Sequence, residues 1–218
     1  MVVGILIALQ VNNWNEDRLQ GKLMNGYFKE MHQELKENMS LAEEYIVSDS
    51  TLVSLIERSL AIIDEGNPDS LKQLDYTLGA VGTSYTRPYT FPITEDFIGN
   101  GYINQVKEDS LKLALRRLKH AIERSNNLNQ YISDQYQLKI EPFFYHYINY
   151  SRVVLDPDED SVIVGGPDSD YRKLIGNMEA WNIINFKLEI TNSSLVRQKS
   201  NLRIMKFLIK KLDEIMKE

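Results

Sequence analysis

The chain has 218 residues, of which 43% are hydrophobic and 26% are charged, and its formal net charge is −6. This composition is typical of a globular protein with a sizeable core, and it excludes wholesale disorder. The negative charge argues against a nucleic-acid partner, because such proteins displace counterions with a basic surface. The absence of cysteine excludes disulfides, thiolate metal sites and a cysteine nucleophile.

The chain opens with a short apolar segment. Val2 to Leu9 carry no polar side chain, and this length is about half of the roughly 20 residues that a membrane-spanning helix needs. Three interpretations compete: a buried core segment, an interfacial helix, and the outer half of a transmembrane helix whose upstream half is missing from this sequence. Trp14 and the polar edge around it favour the third interpretation, because Trp is enriched at the headgroup layer of membranes.

This interpretation divides the chain into the end of a membrane-spanning helix, residues 1–13, and a helical domain outside the membrane, residues 14–218. The residues at the edge, Glu16 and Asp17, are acidic rather than basic, which suits the non-cytoplasmic side. The side chains predicted to lie in the membrane are Val2, Val3, Ile5, Leu6, Ile7 and Leu9, with Trp14 at the interface.

Two strings in the chain are similar to a known family. GILIALQVNNWNE, residues 4–16, closely resembles the start of a domain of unknown function in Gram-negative bacterial membrane proteins. Gly101 to Val106 is similar to that family's Gly-Asn-Leu-Asn-Leu-Ile segment, from which Tyr102 and Gln105 depart. The resemblance implies a single-pass protein of the cytoplasmic (inner) membrane whose helical domain faces the periplasm. It implies no activity, and it implies that Met1 is an internal methionine or a truncated start.

The first long element is an amphipathic helix. No proline occurs from Asp17 to Glu65, and a polar stretch, Ser48–Thr51, leaves open whether residues 17–65 form one helix or two. Gly66 predicts its end. The apolar residues that recur every three or four positions, as one helix face requires, are Leu23, Tyr27, Met31, Leu35, Met39, Ala42 and Ile46.

The rest of the chain also has the patterns of helices, so the predicted fold is an all-α bundle of long helices. Short helices are expected at Leu71–Leu78 and from Thr94. A second long helix is expected from Asp109 or Ser110, with a kink or break at Pro142. Two more are expected from Tyr171 to about Ile190 and from Leu195 to Met216.

One segment departs from the helical pattern. Residues 152–166 read RVVLDPDEDSVIVGG, in which two β-branched runs flank an acidic turn, and this predicts a small β-hairpin near 152–164, with a plain loop as the alternative. The acidic residues match the first positions of a calcium loop, but Ser161 and Pro167 replace its glycine and glutamate, which excludes an EF-hand. A looser calcium contact or a solvated turn remains. The weak calcium candidates are Asp156, Asp158 and Asp160.

Charge predicts which helices are neighbours. Residues 30–65 hold nine acidic residues against two basic ones, and residues 197–218 hold seven basic residues against three acidic ones. The first and last long helices are therefore expected to lie side by side, with Lys210 and Lys211 among the pairing residues. The alternative is two independently solvated faces, because an exposed pair contributes only about 0.2–1 kcal/mol.

Twelve tyrosines are the one excess in the composition. Two aromatic clusters are expected to form a groove for a ligand or a protein partner if they meet, or to close one end of the core if they do not. The predicted groove residues are Tyr85, Tyr89 and Phe91 in one cluster and Phe143, Tyr145 and Tyr147 in the other.

No catalytic, metal or cofactor motif is present in the sequence. His32, His120 and His146 lack the spacing of metal ligands and are expected to be structural. The leading hypothesis is a membrane-tethered sensing, scaffolding or binding domain whose partners are the membrane and a protein partner or a second copy of the chain. The alternatives are an envelope hydrolase whose carboxylates are assembled by the fold, and a soluble cytosolic bundle with a buried N-terminus.

Overall fold

The computed structural model describes residues 2–84, 86–155 and 162–217. Within these ranges the regular structure is entirely helical, which confirms the predicted all-α fold. The helices form two compact units. Unit 1 comprises Met1–Leu41, Tyr89–Ala121 and Asn201–Glu218, and unit 2 comprises Ala42–Pro88 and Ile122–Ser200.

The first helix, α1, runs from Val2 to Glu65, so residues 17–65 form one helix and not two. The polar stretch lies within the helix, and Ser50 and Thr51 donate their hydroxyls to the carbonyls four residues earlier, at 2.6 and 3.1 Å. The helix ends at Gly66, whose φ of 62° is the left-handed conformation that glycine favours at helix ends.

The last helix, α8 (Met178–Ile215), is a single element where two helices were predicted. Its predicted start at Tyr171 is wrong, because Tyr171–Leu174 is a separate 3-10 turn. Gly176, with a φ of 68°, ends that turn. Asn177 then caps α8 by accepting a hydrogen bond from the Ala180 amide at 3.1 Å.

The third long helix, α5 (Asp109–Gln135), begins where the sequence predicted. Shorter elements connect the three long helices. They are α2 (Leu74–Thr77), α3 (Gly79–Gly82), α4 (Pro92–Gly99), α6 (Glu141–Tyr147) and α7 (Tyr150–Val153), with 3-10 turns at Leu71–Gln73 and Tyr102–Gln105 and a π-helical turn at Tyr136–Ile140.

The β-hairpin predicted near residues 152–164 is wrong. The first residues of this segment belong to α7, Tyr150–Val153. Asn149 caps this helix, because its side-chain oxygen accepts a hydrogen bond from the Ser151 amide at 3.2 Å. Residues 162–164 have no regular structure. Residues 156–161, with the calcium candidates Asp156, Asp158 and Asp160, lie outside the described residues.

The core of unit 1 surrounds Phe97 of α4, which is fully buried. Tyr27 and Phe28 of α1 place their ring centroids 5.4 and 5.9 Å from that of Phe97. Burial of such apolar area is the main stabilising term in a unit of this kind. The other fully or almost fully buried side chains, from α1, α5 and α8, are Met31, Leu35, Leu111, Leu115, Leu118, Met205, Leu208 and Leu212.

The core of unit 2 packs the second half of α1 against the shorter helices and the start of α8. Its backbones approach closely at Gly79, where a Cβ atom would overlap the carbonyl oxygen of Val153. Only glycine therefore fits at this point of α3. The buried apolar side chains include Ile56, Ile62, Leu74, Leu78, Phe143, Leu174 and Ile184.

The described apolar side chains at the start of α1 are largely exposed. Ile5, Ile7 and Leu9 are 58%, 56% and 54% exposed, and Trp14 is 66% exposed. Phe28 is the first buried side chain among those described. Over the described part of the chain, no helix has both the length and the apolar character that crossing a membrane requires. The side chains of Val2, Val3 and Leu6, which were predicted to be membrane-embedded, lie outside the described set.

The helices α1 and α8 do contact each other in each unit. In unit 1 the Nε2 atom of His32 lies 2.9 Å from a carboxylate oxygen of Asp213, and in unit 2 Ser194 donates a hydrogen bond to Asp49 at 2.7 Å. The two lysines expected to pair with α1 have other partners: Lys211 lies 2.8 Å from Glu108, before α5, and Lys210 lies 4.0 Å from Glu214 of α8. An ion pair between Lys211 and α1 therefore does not account for the contact between α1 and α8.

Candidate functional site

A proline shapes the end of α5. Pro142 has no amide hydrogen for the carbonyl of Leu138, and its ring would collide with that carbonyl in a regular helix. The chain widens into the π-helical turn Tyr136–Ile140, in which the Glu141 amide donates to the carbonyl of Tyr136. Turns of this type occur often at functional sites. The turn and α6 that follows it bring several aromatic side chains to one cavity.

This cavity, here named the tyrosine cavity, lies within unit 2 and has a volume of about 560 Å³. That volume is typical of small-molecule binding sites, which range over about 300–1,000 Å³. Five rings and a carboxylate dominate its lining. They are Tyr136, Glu141, Phe144, Tyr145, Tyr147 and Tyr150.

A glycine lets two of the rings approach the cavity wall. A Cβ atom at Gly82 would lie 2.9 Å from the Phe144 ring and 3.1 Å from the Tyr150 ring, which is closer than side chains normally pack. Phe144 and Tyr150 meet edge to face, with centroids 5.7 Å apart and planes at 81°. This is a favourable aromatic geometry, so the rings are held in place by α3 and by each other.

Asn149 builds the rim of the tyrosine cavity. Its side-chain amide donates hydrogen bonds to the carbonyls of Gly165 and Pro167 at 2.6 and 2.8 Å. Its backbone amide donates to the hydroxyl of Ser169 at 2.8 Å. A single residue thus holds the loop from Gly165 to Ser169 in place. This role of Asn149 was not predicted from the sequence.

The lining holds two ionisable groups from the turn and the start of α6, Tyr136 and Glu141. Burial raises the pKa of Tyr136, and the nearby Tyr150, Glu141 and Tyr145 raise this pKa further. Glu141 is half-buried, and no hydrogen bond or ion pair from another described residue engages its carboxylate. Among the described residues, none therefore forms an ion pair with this carboxylate.

The other two carboxylates of the lining are paired. Asp168 lies 3.0 Å from Arg152 and Asp170 lies 2.8 Å from Arg172. The bond with Arg172 lowers the pKa of Asp170, which leaves that carboxylate ionised and poorly suited to act as a general acid.

The residues of the predicted aromatic groove lie in different places. Tyr145 and Tyr147 line the tyrosine cavity, whereas Phe143 is buried in the core of unit 2. Tyr89 and Phe91 belong to unit 1 and contact each other, with centroids 6.1 Å apart. The remaining predicted residue, Tyr85, lies outside the described residues. Tyr136 and Glu141 also line the cavity and were not among the predicted residues, although both precede Pro142 in the sequence.

Unit 2 also contains a buried charge cluster that the sequence analysis did not identify. Arg87 donates to a carboxylate oxygen of Asp49 from Nε and Nη2, at 3.1 and 2.7 Å. Lys187 donates to the carbonyl of Thr83 at 2.5 Å. Burial lowers the pKa of Lys187 to about 8, although the charge of Asp49 acts in the opposite direction. The cluster ties α1, the segment after α3 and α8 together.

In unit 1 the carboxylate of Glu34 caps another helix. It accepts hydrogen bonds from the amides of Ile93 and Thr94 at 2.7 and 3.1 Å, and from the Thr94 hydroxyl at 2.6 Å. Burial raises the pKa of Glu34, but its oxygens are engaged by the start of α4. This carboxylate has a structural role, and it does not supply the acid that a hydrolase requires.

The histidines are placed as single residues. Among the described residues, no group of three or more His, Asp or Glu side chains is arranged to hold a metal ion. His146 lines the tyrosine cavity, and its ring lies 6.4 Å from that of Tyr147.

Comparison of the chain with protein-family models, curated proteins and solved structures found no match. Function is therefore inferred from two features: the tyrosine cavity of unit 2 and the exposed apolar start of α1.

Proposed function

We propose that this protein is a membrane-attached helical binding domain, and that the tyrosine cavity takes its ligand. The observation that carries the proposal is the exposure of Ile5, Ile7 and Leu9 on a helix that extends beyond the first buried residue. Several large exposed apolar side chains close together in the chain indicate a segment that another phase or molecule covers. Trp14 follows these residues, and its amphipathic ring suits the headgroup layer.

The size of the apolar segment agrees with insertion into a bilayer. Residues 2–9 extend over about 12 Å of helix, which reaches well into one leaflet of a hydrocarbon core about 30 Å thick. Burying one large aliphatic side chain contributes about 1.5–3 kcal/mol. The three described side chains together therefore supply several kcal/mol of membrane affinity.

The proposed location is the inner membrane of a Gram-negative bacterium, with the helical units on the periplasmic side. Two observations support it. Residues 4–16 resemble the membrane-helix end of the family named above. The first basic side chain is Arg18, and it follows Glu16 and Asp17, whereas a cytoplasmic flank is typically rich in Lys and Arg.

Flotation with lipid vesicles tests the attachment. We expect the purified chain to float with vesicles of phosphatidylethanolamine and phosphatidylglycerol, and the double variant Ile7→Asp/Leu9→Asp to remain in the dense fraction. The matched control is Val47→Asp, since Val47 is also an exposed apolar residue of α1, at 68% exposure, but lies in unit 2. Equal flotation of the double variant and the control would refute attachment through this segment.

A ligand screen tests the role of the cavity. We expect fragments from a library with equal numbers of cationic, anionic and neutral members to bind the chain in ligand-observed NMR and to lose binding in Tyr150→Ala. The control is Tyr76→Ala, because Tyr76 is 83% exposed and is not part of the cavity lining. A library with no member sensitive to Tyr150→Ala would contradict the proposed binding site.

A further inference from the structure

We infer that the tyrosine cavity binds the headgroup of a quaternary or methylated ammonium compound, an inference that rests on the proposed binding role of this cavity. The first support is its aromatic lining. Four tyrosine rings and one phenylalanine ring come from only 15 consecutive residues, 136–150. Aromatic faces carry negative electrostatic potential, and several of them around one space form the cages that recognise methylated ammonium groups.

The second support is the carboxylate among the rings. Glu141 lies in the lining, half-buried, and lacks a cationic partner among the described residues. A cation bound in the cavity would be attracted to this carboxylate. Tyr136, Tyr145 and Tyr150 line the same cavity. An anionic ligand would meet repulsion there.

The positive side chains near the cavity do not offset this preference. Arg152 and Arg172 are engaged by Asp168 and Asp170. Lys173 is exposed, and its charge contributes to lowering the pKa of Asp170. Glu141 is thus the carboxylate of the lining that remains available to a bound cation.

Choline and its neutral carbon isostere, in which carbon replaces the nitrogen, provide the most direct test because they share one shape and differ in charge. In calorimetric titrations of the full chain we expect choline to bind about tenfold more tightly than the isostere, which corresponds to a cation–π gain of about 1–2 kcal/mol. Equal affinities would overturn the cationic class and leave the cavity's binding role intact. If neither compound binds, the inference falls, and the fragment screen decides separately whether the cavity binds anything.

Conservative variants of Tyr150 distinguish binding through the aromatic face from binding through apolar packing alone. Tyr150→Phe keeps the aromatic face and should hold choline affinity within about threefold, whereas Tyr150→Leu should lose about tenfold. Glu141→Gln should weaken choline but not the isostere. The matched control is Glu57→Gln, because Glu57 is an exposed carboxylate of unit 2 outside the cavity lining. An unchanged choline affinity in Tyr150→Leu, with native circular dichroism, would overturn the cage.

Discussion

Glu34 shows how one buried side chain can position a distant helix. Its carboxylate accepts hydrogen bonds from two backbone amides at the start of α4. These amides have no acceptor within the helix, because the first amides of a helix lack a preceding turn. The short helix α4 carries Phe97, around which the core of unit 1 is built. The capping bond therefore fixes the central aromatic residue of that core.

Replacement of this cap is expected to destabilise unit 1. Glu34→Ala leaves two buried amides and a hydroxyl without an acceptor, so urea unfolding should show a loss of about 2–3 kcal/mol. Glu30→Ala is the control, because Glu30 is an exposed acid one turn earlier on α1, and its loss should stay within about 0.5 kcal/mol. A loss in Glu34→Ala no larger than that of the control would refute the capping role.

Lys187 makes stability depend on pH in a defined window. Burial lowers its pKa in the folded chain to about 8, from an ordinary value of 10.5. Between these two values the unfolded chain binds more protons than the folded chain, so the free energy of unfolding rises as pH increases. Above pH 10 Tyr27 acts in the opposite direction. Its hydrogen bond to Asp96 raises its pKa in the folded chain to about 12, from an ordinary value of 10.0. Between these two values the unfolded chain loses the tyrosine proton first, so the free energy of unfolding falls as pH increases.

We therefore expect the free energy of unfolding to rise by about 2 kcal/mol between about pH 7.5 and 9.5. Lys187→Met should remove most of this rise, whatever its effect on stability at neutral pH. Urea titrations of both chains across the window measure the difference. A rise of the same size in Lys187→Met would show that Lys187 is not its source.

Residues such as these could not be found from the sequence. Asp49 meets Arg87, 38 positions away, and Ser194, 145 positions away. Periodicity reports which face of a helix is apolar, but it does not report which polar residues from distant segments meet inside. The aromatic residues around Pro142 were predictable because their signal is local.

At the scale of elements, periodicity predicted the long helices well and their junctions poorly. The stripe from Leu23 to Ile46 lies on α1, and α5 starts at Asp109 as expected. The predicted kink at Pro142 became a π-helical turn, and Gly176 delayed the start of α8. Junctions depend on capping bonds and on glycine conformations, which the apolar pattern does not encode.

The close packing of α3 against α7 gives a test at this scale. Gly79→Ala places a methyl group against the carbonyl of Val153 and should destabilise the chain by about 3 kcal/mol. Gly26→Ala on α1 is the matched control, since a Cβ atom there meets nothing within 4 Å, and it should stabilise the helix by about 0.5–1 kcal/mol. Thermal unfolding of the two variants compares them, and similar melting temperatures would contradict the packing at Gly79.

At the scale of the whole molecule, the all-α class followed from composition and pattern, but the division into two units did not. Unit 1 combines segments from the beginning, middle and end of the chain, and unit 2 combines the two segments that lie between them. Such a division depends on long-range contacts, which local sequence does not reveal. The exposure of Ile5, Ile7 and Leu9 agrees with their expected lack of partners within the helical domain.

The overall charge determines how the chain can bind a membrane. With a net charge of −6, it is repelled by anionic lipid headgroups, so attachment has to come from apolar insertion. Apolar insertion is insensitive to salt, whereas electrostatic attachment is screened. Salt dependence therefore distinguishes the proposed mode of attachment from a charge-based one.

The fluorescence of Trp14 tests membrane attachment most directly. The chain has two tryptophans, so Trp181→Phe leaves Trp14 as the single reporter. We expect its emission to shift to shorter wavelength when anionic vesicles are added, and the shift at about 1 M salt to be no smaller than at low salt, because salt screens the repulsion. In the Ile7→Asp/Leu9→Asp background we expect no shift. An unshifted emission in the presence of vesicles, or an equal shift in that background, would contradict the account.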